Sequence, residues 1–491
     1  MIKVYLKDYS MMYIDCERGI AAELSEHFSF YVPGYKYMPA YKNRVWDGKI
    51  RLFNGMNGEL NAGLFIYLYN FCKEREYKLD VIETDYGLPY EENKFDVGDF
   101  NTMLEEIKLP FPLREYQYKA VTQAIRRTRA VLVSPTGSGK SFIMYVLARW
   151  ILRQEEQSKI LIIVPTTSLV EQLFSDFKDY GYDVDANVHK IYSGKDKNTS
   201  KSIVISTWQS IYKFPKPWFE QFHSVFGDEC HGFKSKSLSS IMNKATEAKF
   251  RFGTTGTLDG TQTHKLVLEG LFGPVFKVTT TKELQDNDTL APLDITVLLL
   301  NYPASVRSTF GNRTYQQEID FLVKNDTRNK IIKNLTLTQN GNTLVLFQLV
   351  DKHGQALYDL ISDAADENRK VFFVHGGVAA TDREAIRKIV EKQKNAIIVA
   401  SMGTFSTGIN IKNIHNIIFA SPSKSQIRVL QSIGRGLRKS DDGSTTKLFD
   451  IADDLHWESR RNFTLLHSAE RVKIYNQEQF KHKVVKVDID S

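Results

Sequence analysis

Residues 129–150, RAVLVSPTGSGKSFIMYVLARW, run from an apolar strand pattern through a glycine-rich turn into an apolar helix pattern. The strand-like part is AVLVS (130–134), and the helical part begins at Lys140 and Ser141. Glycines let the turn bend so that successive N–H groups point at one anion, and the N-terminal end of the following helix favours the same anion. The stretch therefore predicts an α/β sheet with a phosphate-binding loop at the end of this strand.

Six consecutive residues are expected to form the nucleotide cradle: Thr136, Gly137, Ser138, Gly139, Lys140 and Ser141. Lys140 should reach the β- and γ-phosphates, and the Ser141 hydroxyl should bind Mg²⁺. The loop begins at Ser134, where a glycine or alanine is usual. The alternative interpretation is a glycine-rich turn that only links a strand to a helix.

Apolar β-rich runs alternate with helical patterns from about residue 108 onward. The first series lies at 130–134, 160–164, 190–194, 203–207, 224–229 and 251–256, and the second at 343–348, 371–376, 396–401, 416–421 and 447–452. This alternation is typical of parallel sheets with helices on both faces. It predicts an α/β chain with two tandem doubly wound domains.

The organisation predicted from these patterns has four parts. They are a small N-terminal α+β module (1–100), a first α/β domain (101–288), a second α/β domain (289–455) and a short, mildly basic C-terminal extension (456–491). The junction between the α/β domains is placed near Pro292 and Pro303, which flank a strand-like stretch. The extension is expected to be helical from Leu455 to Gln477.

Composition narrows the class of protein. The 491 residues are 42% hydrophobic and 25% charged, as in an ordinary globular protein, and the formal net charge of +7 mildly favours a polyanionic partner. Neither a signal peptide nor a membrane span is recognisable, so we expect a cytosolic chain. Cys16, Cys72 and Cys230 show no paired spacing, which argues against disulfides and a structural zinc site.

A pair of acids follows the run SVFGDE, where Asp228 and Glu229 stand at the end of a predicted strand. Ligands of α/β sheets bind at that edge. Asp228 is expected to hold the magnesium, usually through water, and Glu229 to orient or deprotonate the attacking water. A solvated turn or a helix cap is the alternative interpretation of two adjacent acids.

Several separated motifs carry a family resemblance. SPTGSGKS (134–141), DECH (228–231), TGT (255–257) and QSIGRGLR (431–438) resemble motifs I, II, III and VI of superfamily two helicases, in the order of that family. The whole chain, including WDGKIRLFNG, is similar to the bacteriophage UvsW-type helicases, which are RecG-like remodellers of branched DNA. The resemblance implies two RecA-like domains that share one ATP.

The resemblance also implies further ATP contacts. LREYQ (113–117) resembles the adenine-recognition segment of the family, which implies that Gln117 pairs with the adenine edge, helped by Arg114. In motif VI, Arg435 and Arg438 would supply positive charge to the γ-phosphate, with Gln431 nearby. A surface helix start at LREYQ and solvated arginines in motif VI are the alternatives.

The family's contacts with its nucleic-acid track fall on loops at strand ends. By that resemblance we expect Thr166, Thr207, Thr404 and Gly408 to lie at such contacts, and Gly408 is also assigned to nucleotide binding. Serine and threonine in these loops are often plain helix caps, which is the alternative. The family's motif III links the ATP site to the nucleic-acid face, and His231 is expected to join that link through a hydrogen bond.

The N-terminal module contains YKNRVWDGKIRLFNG (41–55), which predicts a hairpin with Asp47 and Gly48 at a tight turn. Strand alternation puts Lys49 and Arg51 on one face. Such basic groups beside aromatic ones suit a duplex or a strand junction. A solvated charged face over a buried tryptophan is the equally weighted alternative.

The resemblance implies an ATP- and Mg²⁺-dependent DNA helicase that unwinds and branch-migrates forks, four-way junctions, D-loops and R-loops. Its partners would be branched or duplex DNA, RNA:DNA hybrids, and single-strand-binding or recombination proteins. Three alternatives stay open: a duplex translocase that separates no strands, an RNA helicase, and a binding protein that uses ATP as a clamp switch.

Overall fold

The computed structural model describes residues 1–90, 92–154, 157–192, 196–258, 261–310, 313–408, 411, 413–421, 425, 429–430, 432–434, 437 and 443–489. The chain forms two compact units. One comprises Met1–Ser134 and Gly139–Val278, and the other comprises Pro135–Ser138 and Thr279–Ser491. The predicted division into four segments stays a prediction.

The first unit begins with a small α+β module. Its strands are β1 (Ile2–Leu6), β2 (Met11–Asp15), β3 (Ser29–Tyr31), β4 (Lys49–Arg51), β5 (Glu59–Asn61) and β6 (Leu79–Ile82), and its helices are α1 (Arg18–His27), α2 (Pro39–Lys42) and α3 (Phe65–Glu74). A four-stranded sheet has the order β5-β2-β1-β6, with β1 antiparallel to β2 and parallel to β6. Side chains from one face of this sheet, such as Val4, pack with side chains of the helices, such as Leu24 of α1. Together they form a hydrophobic core of the module's own.

The predicted hairpin around Asp47 and Gly48 is wrong. Strand β4 pairs antiparallel with β3, and Phe30 stands opposite Ile50. The residues before the Asp-Gly turn form the short helix α2 instead of a strand. Pro39 favours this helix, because its fixed φ suits the first helical position.

The first parallel sheet contains β7 (Arg129–Val133), β8 (Ile160–Val164), β9 (Val188–Ile191), β10 (Ile203–Thr207), β11 (Ser224–Asp228), β12 (Phe250–Thr255) and β13 (Val275–Lys277). Its helices are α4 (Val97–Glu106), α5 (Glu115–Arg127), α6 (Lys140–Gln154), α7 (Thr167–Asp179), α8 (Val184–Asn187), α9 (Trp208–Ile211), α10 (Lys216–Glu220), α11 (Lys236–Lys244) and α12 (Gln262–Phe272). The strand order is β13-β7-β12-β11-β8-β10-β9, and every pairing is parallel.

Both faces of this sheet are covered by apolar cores. Leu132 and Ile162 belong to one cluster of buried side chains, whereas their neighbours Val131 and Leu161 belong to another. Because successive strand residues point to opposite faces, a strand buried on both sides must be continuously apolar. This is the reason for the uninterrupted runs AVLV and ILIIV in the sequence.

The second unit contains the other parallel sheet. Its strands are β14 (Leu293–Asn301), β15 (Thr343–Phe347), β16 (Val371–Val374), β17 (Ile397–Ser401), β18 (Asn416–Phe419), β19 (Thr446–Asp454) and β20 (His482–Asp488). Its helices are α13 (Thr281–Asp286), α14 (Ala304–Arg307), α15 (Tyr315–Lys324), α16 (Asp326–Thr338), α17 (Gln355–Ser362), α18 (Ala380–Lys392), α19 (Met402–Gly408) and α20 (Phe463–Gln477). The strand order is β16-β17-β15-β18-β19-β14-β20, again with parallel pairings. The predicted α/β class with two doubly wound parallel sheets is confirmed.

The segment expected to be a helical extension adds to this second sheet. Its helix begins at Phe463 and not at Leu455, because Trp457 and Arg460 form an antiparallel bridge around Glu458, whose φ is +50°. Strand β20, absent from the sequence prediction, pairs with β14 at the edge of the sheet. Charged side chains are typical of such an edge strand, and they hide it in the sequence.

Two buried ion pairs tie helices to strand β19. Arg471 of α20 donates from Nε to both carboxylate oxygens of Asp450, at 3.0 and 2.9 Å. Arg328 of α16 donates from Nε to Oδ1 of Asp453 at 2.8 Å and from Nη2 to Oδ2 at 3.0 Å, and both pairs are almost fully buried.

In the part of the chain that the structure describes, no helix is long and apolar enough to span a bilayer.

Candidate functional site

The turn between β7 and α6 has the backbone of a phosphate cradle. Gly137 and Gly139 have φ values of +85° and +84°, in the left-handed region that side chains disfavour. A Cβ on Gly139 would stand 2.5 Å from Nε2 of Gln117. A Cβ on Gly137 would likewise stand 2.7 Å from Cδ2 of Leu290, so both positions require glycine for their backbone conformation and for the close approach of a side chain.

Lys140 and Ser141 open helix α6 directly after this turn. The ammonium of Lys140 donates to the carbonyl of Ser134 at 3.2 Å, and the Ser141 hydroxyl lies 2.9 Å from the hydroxyl of Tyr180. Ser138 donates its hydroxyl hydrogen to the carbonyl of Pro135 at 2.6 Å. Tyr180 was missed in the sequence, because it is 39 residues away from Ser141 and carries no motif.

Gln117 is buried beside the phosphate loop. Its side-chain oxygen accepts the backbone N–H of Arg114 at 3.0 Å, which orients the amide at the start of α5. The guanidinium of Arg114 donates to the hydroxyl of Tyr116 at 3.0 Å and is exposed. The amide nitrogen of Gln117 therefore points towards Gly139, whereas the predicted pairing with adenine stays a prediction.

Asp228 lies at the carboxyl end of β11, in the centre of the same sheet. Its carboxylate is buried and accepts the hydroxyl hydrogen of Thr254 at 2.7 Å, from the neighbouring strand β12. Burial and the adjacent Glu229 raise the pKa of Asp228, and nearby Lys140 opposes this increase. The buried carboxylate thus lies within the electrostatic reach of the loop lysine.

Glu229 has a left-handed backbone conformation with φ of +50°. Its carboxylate oxygen Oε2 lies 3.3 Å from Nδ1 of His231. That nitrogen also lies 3.0 Å from the hydroxyl of Thr255, so the hydrogen bond expected for His231 is present. The Thr255 carbonyl in turn accepts the N–H of Ser134 at 2.8 Å.

The acidic pair, the TGT segment and the start of the phosphate loop thus form one connected network. The Thr255 hydroxyl donates to the carbonyl of Thr257 at 2.9 Å, and the ring of His264 contacts the His231 carbonyl at 2.8 Å. Thr254 and His264 were missed in the sequence. The pairing of β11 with β12 is the signal that could have found Thr254, because Asp228 stands opposite Thr254 in the register of these two strands.

The residues expected on the second domain are only partly described. Gln431, Arg435 and Arg438 lie outside the described residues. Gly408 is the last residue of helix α19, and the hydroxyl of Thr404 in the same helix accepts from Ser401 at 2.7 Å. The predicted roles of these residues stay predictions.

Thr166 and Thr207 both stand at the N-terminal caps of helices. The Thr166 hydroxyl accepts the N–H of Leu169 at 3.4 Å, at the start of α7. The Thr207 hydroxyl is 2.8 Å from that of Ser210, before α9. Both lie at the carboxyl ends of their strands, as expected. Their predicted contacts with phosphates stay predictions.

Basic and aromatic side chains gather on residues 31–51 of the N-terminal module. The ammonium of Lys49 lies 5.0 Å from the ring centroid of Tyr31, and the guanidinium of Arg51 binds Asp47. An open cavity of about 510 Å³ adjoins them, lined by Lys36, Tyr41, Lys42, Arg44 and Trp46 among others. We call residues 31–51 the basic-aromatic surface.

The chain has two seven-stranded parallel sheets, and a phosphate loop and a buried carboxylate lie at the carboxyl ends of strands in the first. These features define an ATP-binding protein with tandem RecA-like domains. Three family models match it in succession. They are the N-terminal domain of DNA helicase UvsW (1–82), the res subunit of type III restriction enzymes (110–260) and the helicase conserved C-terminal domain (326–440).

The ATP-dependent DNA helicase uvsW of Enterobacteria phage T4 is 35% identical over 510 residues, which cover 99% of this chain and 100% of that protein. The chain therefore belongs to the UvsW family of DNA helicases. The crystal structure of T4 UvsW is similar with a TM-score of 0.51, 34% identity and 99% coverage of both chains. The DNA 3'-5' translocase XPB2 of Sulfurisphaera tokodaii is 24% identical, over 72% of this chain and 83% of that protein.

Proposed function

We propose that this chain is an ATP-dependent DNA helicase that unwinds and branch-migrates branched DNA in recombination, repair and replication restart. The substrates would be forks, four-way junctions, D-loops and R-loops. The observation that carries the proposal is the network from the phosphate loop through Thr255 and His231 to the acidic pair. Such a network can transmit the state of the nucleotide to the face of the sheet where a track would bind.

The donor set at the loop fits ATP with Mg²⁺. Glycines with positive φ allow backbone N–H groups to face the phosphates, and Lys140 adds a positive charge. Ser141 and Asp228 supply the oxygen ligands that Mg²⁺ prefers, and few protein ligands suffice because the ion keeps several waters. When bound, the ion neutralises charge on the β- and γ-phosphates.

The remaining residues of the site have separable roles in hydrolysis. Glu229 orients or deprotonates the attacking water, and its contact with His231 holds the carboxylate in place. Arg435 and Arg438 supply positive charge to the transition state, which in related chemistry contributes about 10³–10⁵ in rate. Gln431 supports them, and Gln117 with Arg114 recognises the adenine.

The track contacts are expected to be independent of DNA sequence. Thr166, Thr207 and Thr404 offer hydroxyl and N–H groups at strand ends, which suit phosphate oxygens. Lys49 and Arg51 on the basic-aromatic surface would hold a duplex arm or strand junction, because cations beside aromatic rings bind both backbone and bases. RNA:DNA hybrids and single-strand-binding or recombination proteins are further proposed partners.

ATPase and strand-displacement assays over one panel of substrates test the proposal. The panel comprises single strands, duplexes, forks, four-way junctions and RNA:DNA hybrids in displaced loops. Branched DNA should stimulate turnover more than linear duplex and should be resolved with ATP. Turnover that is indifferent to every nucleic acid in the panel would overturn the helicase assignment.

The basic-aromatic surface has its own test. Replacing Lys49 and Arg51 together with alanine should weaken binding to four-way junctions and leave ATPase activity without DNA unchanged. Lys73 and Lys78, two exposed lysines of the same module, provide a matched double-alanine control. Equal losses of junction binding in both double variants would indicate only the lost charge and would refute a specific surface.

A duplex translocase that separates no strands is the second candidate. The match of residues 110–260 to the res subunit of type III restriction enzymes favours it. Translocation without unwinding would displace a triplex-forming strand from a linear duplex but leave forks and junctions intact. That combination of results would favour the translocase over the helicase.

A further inference from the structure

A cavity of about 280 Å³ lies within the first unit, between the N-terminal module and the first parallel sheet. Three parts of the chain line it: the module, the connecting residues 86–90 and 92–94, and the sheet with its flanking turns. The lining residues that matter here are Tyr9, Phe65, Tyr86, Tyr90, Arg129 and Lys249. The ATP site described above uses none of them.

The guanidinium of Arg129 is only partly satisfied in this cavity. Its Nη2 donates to the carbonyl of Tyr9, whereas its Nη1 is buried and meets no hydrogen-bond acceptor in the described part of the chain. Burial lowers the pKa of Arg129 to about 10, and Asp8 opposes this decrease. At neutral pH the side chain is therefore a cation with one buried nitrogen, Nη1, that no acceptor in the described part of the chain meets.

More positive than negative charge lies around Arg129. Asp8 is the nearby carboxylate, and its Oδ1 already accepts the N–H groups of Ser10 and Met11 at 2.7 and 2.9 Å. A second buried guanidinium, that of Arg251, donates to backbone carbonyls. Two guanidinium cations thus share the influence of one carboxylate, that of Asp8, and this excess of positive charge favours an anionic ligand.

The rim of the cavity adds further cations and exposed rings. Lys94, Arg127 and Lys249 line it, and Glu92 is the one carboxylate among its described lining residues. Tyr90 is 57% exposed. Its ring is nearly parallel to that of Phe65, with an angle of 17° between the planes and 6.3 Å between the centroids.

We propose that this cavity binds one nucleotide, with its phosphate at Arg129 and Lys249 and its base against the aromatic rim at Tyr90. A buried guanidinium forms strong, charge-assisted hydrogen bonds to phosphate, and bases stack on aromatic rings in a sequence-tolerant way. The volume lies near the lower end of the ~300–1,000 Å³ typical of small-ligand sites, so one nucleotide fits better than a longer strand. The nucleotide can come from a free monophosphate or from the phosphorylated end of a DNA strand.

Isothermal titration calorimetry on the full chain tests the proposal, with the ATP site saturated by a non-hydrolysable ATP analogue and Mg²⁺. The probes are thymidine 5'-monophosphate, thymidine, inorganic phosphate and a 5'-phosphorylated thymidine octamer. The monophosphate or the octamer should bind saturably, and thymidine and phosphate at least tenfold more weakly. Octamer binding that is tighter than monophosphate binding and that the cavity variants weaken identifies a DNA end as the source, and equal or tighter binding of the monophosphate identifies the free nucleotide.

Two variants and one control locate the binding. Arg129→Met and Tyr90→Ala should each weaken it at least tenfold, and thermal unfolding checks that they are folded. Tyr69→Ala removes a tyrosine of the same module that is 47% exposed and lies outside the cavity, so binding should not change. Tyr90 is at the surface, so its variant remains decisive if Arg129→Met does not fold.

No saturable binding of either probe would overturn the proposal, as would unchanged binding in the folded variants. Inorganic phosphate that binds as tightly as the monophosphate would overturn the assignment of the base. The DNA-end source rests on the proposed helicase function, whereas the binding site does not. Absence of saturable binding by the unmodified chain, together with intact strand displacement, would therefore count against the cavity alone.

Discussion

The hydrogen bond between His231 and Thr255 should couple the ATP site to bound DNA. The Thr255 hydroxyl donates its single hydrogen to the Thr257 carbonyl, so it accepts from Nδ1–H of His231 at 3.0 Å. The same N–H faces the Glu229 carboxylate at 3.3 Å. Thr255→Val keeps the shape of the side chain and removes this connection, and His231→Ala removes it from the other side.

The expected magnitude follows from one neutral hydrogen bond in a partly buried site. Such a bond contributes about 0.5–1.5 kcal/mol. A change of ~1 kcal/mol corresponds to about a fivefold change in an equilibrium. We therefore expect either single variant to lower the stimulation of ATPase by DNA about fivefold. Because both remove the same bond, the double variant should lose little more than either single variant.

The assay is steady-state ATPase activity with and without a saturating four-way junction, for all members of the double-mutant cycle. The ratio of the two rates isolates coupling from any change in the unstimulated reaction. His189→Ala on strand β9, at the far edge of the same sheet, is the matched control and should keep the native ratio. Additive losses in the double variant, or a native ratio in Thr255→Val, would refute this reasoning.

Three further outcomes are expected. Lys140→Ala should abolish hydrolysis while gel-shift affinity for junction DNA stays within about twofold of native, because the lysine serves the phosphates; steady turnover would contradict the phosphate-loop assignment. Arg438→Ala should bind a fluorescent ATP analogue normally and lose DNA-stimulated turnover, and unchanged turnover would exclude this arginine. Arg471→Met leaves the buried carboxylate of Asp450 without its cation and should lower the free energy of unfolding in urea by about 3–5 kcal/mol. The control Arg387→Met, at a partly exposed arginine, should lower it by at most ~1 kcal/mol. Equal losses would show that the buried pair is not needed.

The parts of the fold that depend on local pattern were predictable. Ile160–Val164 is buried at every position, and only a strand covered on both faces needs that pattern. The phosphate loop and the acidic pair follow such strands directly, so their location at one sheet edge follows from parallel pairing. The hydrogen bond of His231 was expected from the family resemblance of motif III, and the pairing of β11 with β12 brings DECH and TGT together.

The parts that depend on distant partners were not predictable. The contact of Ser141 with Tyr180 joins residues 39 positions apart that share no motif. Strands β14 and β20 pair although almost the whole sequence of the second unit lies between them. The charged pattern of β20 resembles that of a solvated tail. Asp47 and Gly48 do not close the predicted two-residue hairpin, because the partner of β4 is the earlier strand β3 and not the residues just before Asp47.

The backbone of Glu229 connects strain to function. A left-handed conformation costs a non-glycine residue about 1–2 kcal/mol, whereas glycine adopts it freely. The flanking residues hold it in place, since Asp228 is bonded to Thr254 and Cys230 is buried against Gly253. Strain of this kind persists where the orientation of a side chain matters. At Glu229 it accompanies a carboxylate that contacts His231, so the acid that we propose to act on water also contacts the residue that we propose to link the ATP site to DNA.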